Sequence, residues 1–252
     1  MADFISKLEH ADVWVSLREL EWAQNFGFKA RPCLKFLRVP SIDFRAFHPD
    51  LCYARSVVDG RFTTDNYNSA IAVWAYNNGL EAKDTAKLFN RDTYFRLGYF
   101  HLWDYSLQEL RTAFNTCGLD FSRYMLAVKR NGLFMHSINH PTVYAIGELA
   151  KSLALKMGAP SSLLQRDLKL GDSLISGAVW PVYPEIADHY SLPGGSYDWK
   201  VRGLWRQGLD AYLDHAFQAY ESQQIPRNGL EILNRDEALL TQVLGPLATI
   251  SR

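Results

Sequence analysis

Cysteine is scarce in this chain, neither charge sign is in excess, and no apolar run is long. The only cysteines are Cys33, Cys52 and Cys117. None stands in a CxxC or a Cys/His pattern with zinc spacing, which argues against a disulfide framework or a zinc module and for reduced thiols in a cytoplasmic protein. Lys+Arg 27 balances Asp+Glu 27, so no nucleic-acid footprint or strong membrane-surface field is expected. The longest strongly apolar run, Ala70 to Tyr76, is far too short to span a bilayer. The first residues, MADFISKLEH, carry charges where a signal peptide would be apolar. Neither GxxxxGK[ST] nor GxSxG occurs, so a P-loop and a hydrolase elbow have no support.

What is present is aromatic residues, at 13%, and a succession of helix and strand signals. Ala11 to Leu17 and Cys33 to Val39 read as short strands separated by helix-like sequence, which suggests a parallel unit. Ala70 to Tyr76, apolar on nearly all sides and stopped by Gly79, predicts a buried helix. Further helices are expected over 81–90, 106–117, 120–129, 141–157, 204–223 and 236–244. The aromatic stretch 94–103 reads as core, with His101 packed in it. Pro and Gly crowd residues 180–197, an irregular segment of the kind that lines binding sites. With no repeat or linker, the expectation is one α/β domain over 1–252. It is predominantly helical around a small, mostly parallel sheet, with C-terminal helices from about 204.

Two stretches carry candidate chemistry. In Phe134-Met135-His136-Ser137-Ile138-Asn139-His140-Pro141, Pro141 suits the first position of a helix and His140 its cap. Polar groups at a helix start favour anions or a developing oxyanion, although such groups also satisfy one another in ordinary caps. His136 and His140 are four apart, but Pro141 argues against one helix carrying both, so no metal is expected. The second stretch is Arg45 to Tyr53. His48 and Asp50 flank Pro49 there, and a carboxylate beside an imidazole is the orienting half of a catalytic dyad. The ordinary alternative is turn chemistry. Cys52 has nothing near it in sequence to lower its pKa and reads as an inert buried thiol.

The order of these pieces resembles a known family. His48-Pro49-Asp50 follows a strand ending in proline, and Asp65-Asn66-Tyr67-Asn68-Ser69 opens an apolar helix. Leu88-Phe89-Asn90, Asn139-His140-Pro141 and Trp180-Pro181-Val182-Tyr183-Pro184 follow. Together, from about residue 10 to about residue 200, they resemble the WcbI-type polysaccharide-biosynthesis acetyltransferase domain. The resemblance implies coenzyme A binding and O-acetylation of bacterial capsular polysaccharide on a mostly helical α/β fold. One departure stands out: the Gly-Asn-Cys-Gln-like turn that usually opens the family, with its candidate active-site cysteine, has no counterpart before Ala11. The expectation is that the first βα unit is missing, or is supplied by another chain, or that the activity differs. An open sheet edge would then favour a homo-oligomer or a partner chain.

The leading expectation is acetyl transfer from acetyl-CoA to a sugar hydroxyl. His48, Asp50 and His140 are the catalytic candidates; Arg45, Tyr67, Ser69, His136 and Asn139 are the binding candidates. Either histidine could be the base, and Asn139, Ser69 or helix-start N–H groups could hold the oxyanion. The alternative is a non-catalytic ligand-binding or assembly subunit. Ester hydrolysis by a Ser/His/Asp set ranks last.

Overall fold

The computed structural model describes residues 2–250. The chain opens with α1 (Ala2–Glu9), β1 (Val13–Ser16), α2 (Leu20–Gln24) and β2 (Lys35–Arg38). β1 and β2 pair in parallel, Val13 against Lys35 through Ser16 against Arg38. Leu8, Trp14, Ala23 and Phe28 give this part its own small apolar cluster.

Then follow β3 (Leu51–Ser56), β4 (Asn68–Ser69), α3 (Ala70–Asn77), α4 (Ala82–Ala86), α5 (Arg91–Arg96), α6 (Leu102–Thr116) and α7 (Phe121–Lys129). The chain continues through β5 (Met135–Ser137), β6 (His140–Pro141), α8 (Val143–Lys156) and α9 (Pro184–His189). It closes with β7 (Asp198–Val201), β8 (Leu204–Gln207), α10 (Leu209–Ser222), β9 (Leu230–Leu233) and α11 (Glu237–Ile250). Helices thus outweigh strands in a mixed α/β fold. α3 is the axle of the large core. Every residue from Ala70 to Tyr76 is buried, as its unbroken apolar sequence demands. Ser69 caps it, Oγ accepting from Ala72 N at 3.1 Å, and Gly79 with φ 73° lets the chain leave.

Several expectations change. The sheet is not mostly parallel: besides β1–β2, the strands form β4-β3-β9, β5-β6 and β7-β8, all antiparallel. Only β1 and β2 are joined by a helical crossover; β5–β6 and β7–β8 turn back at once, which permits only antiparallel pairing. The helix expected from 204 starts at Leu209, because Arg202 and Gly203, with φ 50° and 77°, make a two-residue hairpin turn and Gly208 at φ 85° separates strand from helix. Pro141 does not open a helix either. It faces Met135 in a strand pair, and Thr142 caps α8, accepting from Ala145 N at 3.4 Å. Ser106 lies inside α6, where its buried Oγ accepts from Ala46 N at 3.1 Å. His101 is exposed, not packed.

Among the described residues no helix is long and apolar enough to cross a membrane, and no group of three metal-ligating side chains occurs.

Candidate functional site

The structure separates the two stretches sharply. His48 and Asp50 are buried, at 1% and 0% exposure. They do not form the expected dyad. Asp50 Oδ1 accepts from Ile71 N at 3.1 Å and Tyr99 Oη at 2.9 Å, while Oδ2 accepts from Tyr183 Oη at 2.7 Å. The backbone C=O of Asp50 takes the Ala70 N–H at 2.9 Å. Asp50 therefore ties the start of α3 to two distant tyrosines. Burial lifts its carboxyl pKa above the ordinary value, and the hydrogen bonds from Ser69, Tyr183, Ile71 and Tyr99 only partly offset that. Neither ring nitrogen of His48 has a hydrogen-bond partner among the described residues. Burial pushes the His48 pKa down to about 3; the Trp180 main chain opposes the shift in part, and His136 adds a smaller lowering. Ser69 is also fully buried and acts as a cap. Cys52 and Cys117 are buried, and burial raises both thiol pKa values, so neither is an activated nucleophile.

The hairpin at 135–141 is different. The β5–β6 pairing sets Ser137 opposite His140. His140 is partly buried, with Nδ1 2.9 Å from Ser137 Oγ and 3.1 Å from Tyr67 Oη. Tyr67 Oη donates to Asn139 Oδ1 at 2.5 Å, and Ser137 Oγ reaches the same oxygen at 3.4 Å. With its proton given to Asn139, the Tyr67 oxygen faces His140 Nδ1 as an acceptor, and Ser137 Oγ can accept from the same N–H. The hydrogen-bond pattern thus assigns the Nδ1–H tautomer and leaves Nε2 with its lone pair. Burial, then His136, lowers the His140 pKa, so the ring is neutral at pH 7. Asn139 Nδ2 continues the chain of contacts to Tyr53 Oη at 3.4 Å.

This row of side chains sits between two cavities. Arg45, Tyr53, Ser106 and Asn139 line one of about 390 Å³, together with Asp43 and Glu109. Arg45 has no ion-pair partner among the described residues, but the two carboxylates leave that lining without positive excess. Tyr67 and His140 line the second, of about 320 Å³, with Asp65 and Arg202. A third, of about 370 Å³, lies beyond the carboxyl ends of β1 and β2, where Arg18, Arg38 and Ser41 face Thr116 at the end of α6 and Cys117 just after it.

Two carboxylate–histidine pairs were not anticipated. His136 Nε2 lies 2.9 Å from Asp172 Oδ2, which also accepts from Val143 N at 2.9 Å at the start of α8. Burial pushes the Asp172 pKa up, but the Val143 N–H and His136 more than reverse it, and it lies below the usual carboxylate range. So His136 is a partner of Asp172 beside the His140 cluster. His215 Nε2 lies 2.8 Å from Asp65 Oδ2. The sequence offered only a weak signal for either: Gly171-Asp172-Ser173 reads as turn chemistry, and His215 sits in an ordinary amphipathic helix.

Comparison with known proteins completes the picture. The family described as polysaccharide biosynthesis enzyme WcbI matches residues 6–162. The chain belongs to the WcbI family. A solved WcbI structure shares the fold, with TM-score 0.66 over 99% of this chain and 83% of that chain at 16% sequence identity. That protein is described as a novel polysaccharide biosynthesis enzyme, in its native form without a disulfide bond between coenzyme A and a cysteine. No curated protein matches the chain. The family match begins a little before the stretch in which the sequence motifs were found, and the structural likeness runs past them.

Proposed function

We propose that this WcbI-family chain transfers an acetyl group from acetyl-coenzyme A to a sugar hydroxyl in polysaccharide biosynthesis, with His140 as general base. One observation carries the reading: a neutral imidazole, its Nδ1–H held by Ser137 and Tyr67, stands at a cavity wall with Nε2 left to accept a proton. Nε2 takes the proton of the acceptor hydroxyl, whose oxygen attacks the thioester carbonyl. A tetrahedral oxyanion forms, and Asn139 Nδ2, which has a second N–H beyond the one on Tyr53 and is next to His140 in the chain, is the donor assigned to it. Collapse expels the coenzyme thiolate, which recovers the proton from the imidazolium.

The three cavities follow one another along the chain. Ser41 and Thr116 wall the third, Asp43 and Glu109 the first, and Asn139 leads to His140 in the second. An extended coenzyme suits the third and the first of them, with its thioester end at Asn139 and the second cavity left to the acceptor. Its phosphates match the end with Arg18 and Arg38, two cations of which Arg38 also pairs with Glu19, better than the Arg45 cavity, whose one cation shares its lining with Asp43 and Glu109. Coenzyme A in the solved relative supports the same cofactor class.

Calorimetric titration with coenzyme A and with acetyl-coenzyme A tests this. Saturable binding of either is expected; binding of neither overturns the proposal. The second reading, a non-catalytic ligand-binding or assembly subunit, is favoured by the lack of an activated thiol at Cys52 or Cys117. Coenzyme binding with no transfer to any acceptor would select it.

A further inference from the structure

The Asp65–His215 pair, whose aspartate lines the His140 cavity, takes no part in the steps above. Asp65 is nine-tenths buried, with a side-chain exposure of 10%. Its Oδ2 accepts from His215 Nε2 at 2.8 Å, and Arg206 Nη2 reaches His215 Nδ1 at 3.3 Å. Arginine can only donate, so His215 Nδ1 is the acceptor and Nε2 carries the proton given to Asp65. The relay from Arg206 through His215 fixes one oxygen of the carboxylate. The other, Oδ1, is buried without a partner among the described residues. A carboxylate oxygen without a partner, on a residue of the cavity wall, calls for a donor, and a ligand seated in the cavity can bring one.

The rest of the wall indicates which ligand. Ser176 and Thr64 contribute hydroxyls and Asn66 an amide, while Gly177, Ala178 and Gly203 leave room. A lining of hydroxyls, an amide, the Asp65 carboxylate and the Arg202 guanidinium, with no excess of either charge, suits a neutral polyol, and about 320 Å³ is at the small end of ligand pockets, the scale of one sugar ring.

We propose that this cavity is the acceptor-sugar subsite, and that Asp65 Oδ1 takes a hydrogen bond from a hydroxyl of the bound pyranose while His215 acts as its positioning residue. This rests on the acetyl-transfer reading, and it deepens that reading by separating an acceptor side, at Asp65 and His140, from the coenzyme side.

The test is saturation-transfer NMR with a panel of methyl glycopyranosides: gluco, galacto, manno and their 2-acetamido forms. At least one is expected to bind the full chain, with affinity lowered tenfold or more in Asp65→Asn. The second variant, Ser176→Trp, fills the cavity from an exposed wall position and is expected to abolish the signal without unfolding the chain. Coenzyme A affinity by calorimetry is expected to be unchanged in both. The proposal is overturned if no glycoside binds the wild-type chain, or if both variants keep the signal. A chain that binds sugar through Asp65 but binds no coenzyme overturns the acetyl-transfer reading alone.

Discussion

The His48 loop and the His140 hairpin begin from similar materials: a histidine next to a proline, with a polar partner close in sequence. One becomes core and the other a site. His48 is enclosed with both ring nitrogens unpaired, and its neighbour Asp50 is spent on Ile71 N, Tyr99 and Tyr183. His140 is partly exposed, has one nitrogen held by two hydroxyls, and faces a cavity. What separates them is where the open valences point. A carboxylate saturated by three donors holds a fold together; an imidazole with one side fixed and one side free can move a proton.

The sharpest way to break this comparison is Asp50→Ala. It leaves Tyr99 Oη, Tyr183 Oη and Ile71 N buried without their acceptor. At roughly 1–3 kcal/mol for each orphaned group, unfolding free energy is expected to fall by about 3 kcal/mol or more. Denaturant melts measure it, and a loss under 1 kcal/mol would show that Asp50 is not the structural partner argued here.

Next in size is His140→Ala. Acetyl transfer is expected to fall at least ~100-fold, about 2.7 kcal/mol in barrier, with stability little changed. His48→Leu is the matching control and is expected to leave transfer unaltered. If His48→Leu abolishes transfer and His140→Ala does not, the two regions have exchanged roles and the base is the buried ring.

The same His48→Leu variant sharpens the comparison through pH. His48 titrates near its ordinary value of 6.5 when unfolded and at about 3 when folded, so between those values the unfolded chain binds more protons. Stability from neutral His48 is therefore complete above about pH 6.5 and is lost as pH falls toward 3, at up to ~1.4 kcal/mol per pH unit. Asp50, whose folded pKa is raised, carries the opposite sign. The readout is thus the difference between wild type and His48→Leu, and the variant is expected to lose less stability on acidification. Parallel curves for the two proteins would refute the linkage.

Much of this was legible before the structure. The parallel β1–β2 pair, the wholly buried α3 and the Asp120 cap of α7 follow from apolar runs and cap residues, which act locally. The cluster of Ser137, Asn139 and His140 was visible because the three are neighbours in sequence. What was not legible depends on long-range placement. Tyr53 and Tyr67 reach Asn139 from positions 86 and 72 residues away, and Tyr183 reaches Asp50 across 133. The His48–Asp50 dyad failed because spacing of two says which residues lie near each other, not which donors arrive from elsewhere to claim the carboxylate. Pro141 misled for a related reason: a proline suits a helix start and an edge strand equally, and Thr142 was the better cap.

The smallest expected effect is the most informative about the site itself. Tyr67→Phe removes one hydroxyl that both donates to Asn139 and faces His140 Nδ1. Ser137 still holds that nitrogen, at 2.9 Å, so the tautomer survives and the imidazole keeps its Nε2 lone pair. What is lost is the tie that fixes Asn139 relative to the ring. A neutral hydrogen bond contributes about 0.5–1.5 kcal/mol, so transfer is expected to fall by no more than about tenfold. The loss should appear in kcat rather than in the coenzyme dissociation constant, because Asn139 acts on the oxyanion and not on the bound coenzyme. Combining Tyr67→Phe with Ser137→Ala takes both acceptors from Nδ1 and frees the tautomer, so the pair is expected to cost more than the sum of the single changes. Simple additivity would mean that the two hydroxyls do not share the task of holding His140, and that the hairpin positions its histidine by backbone pairing alone.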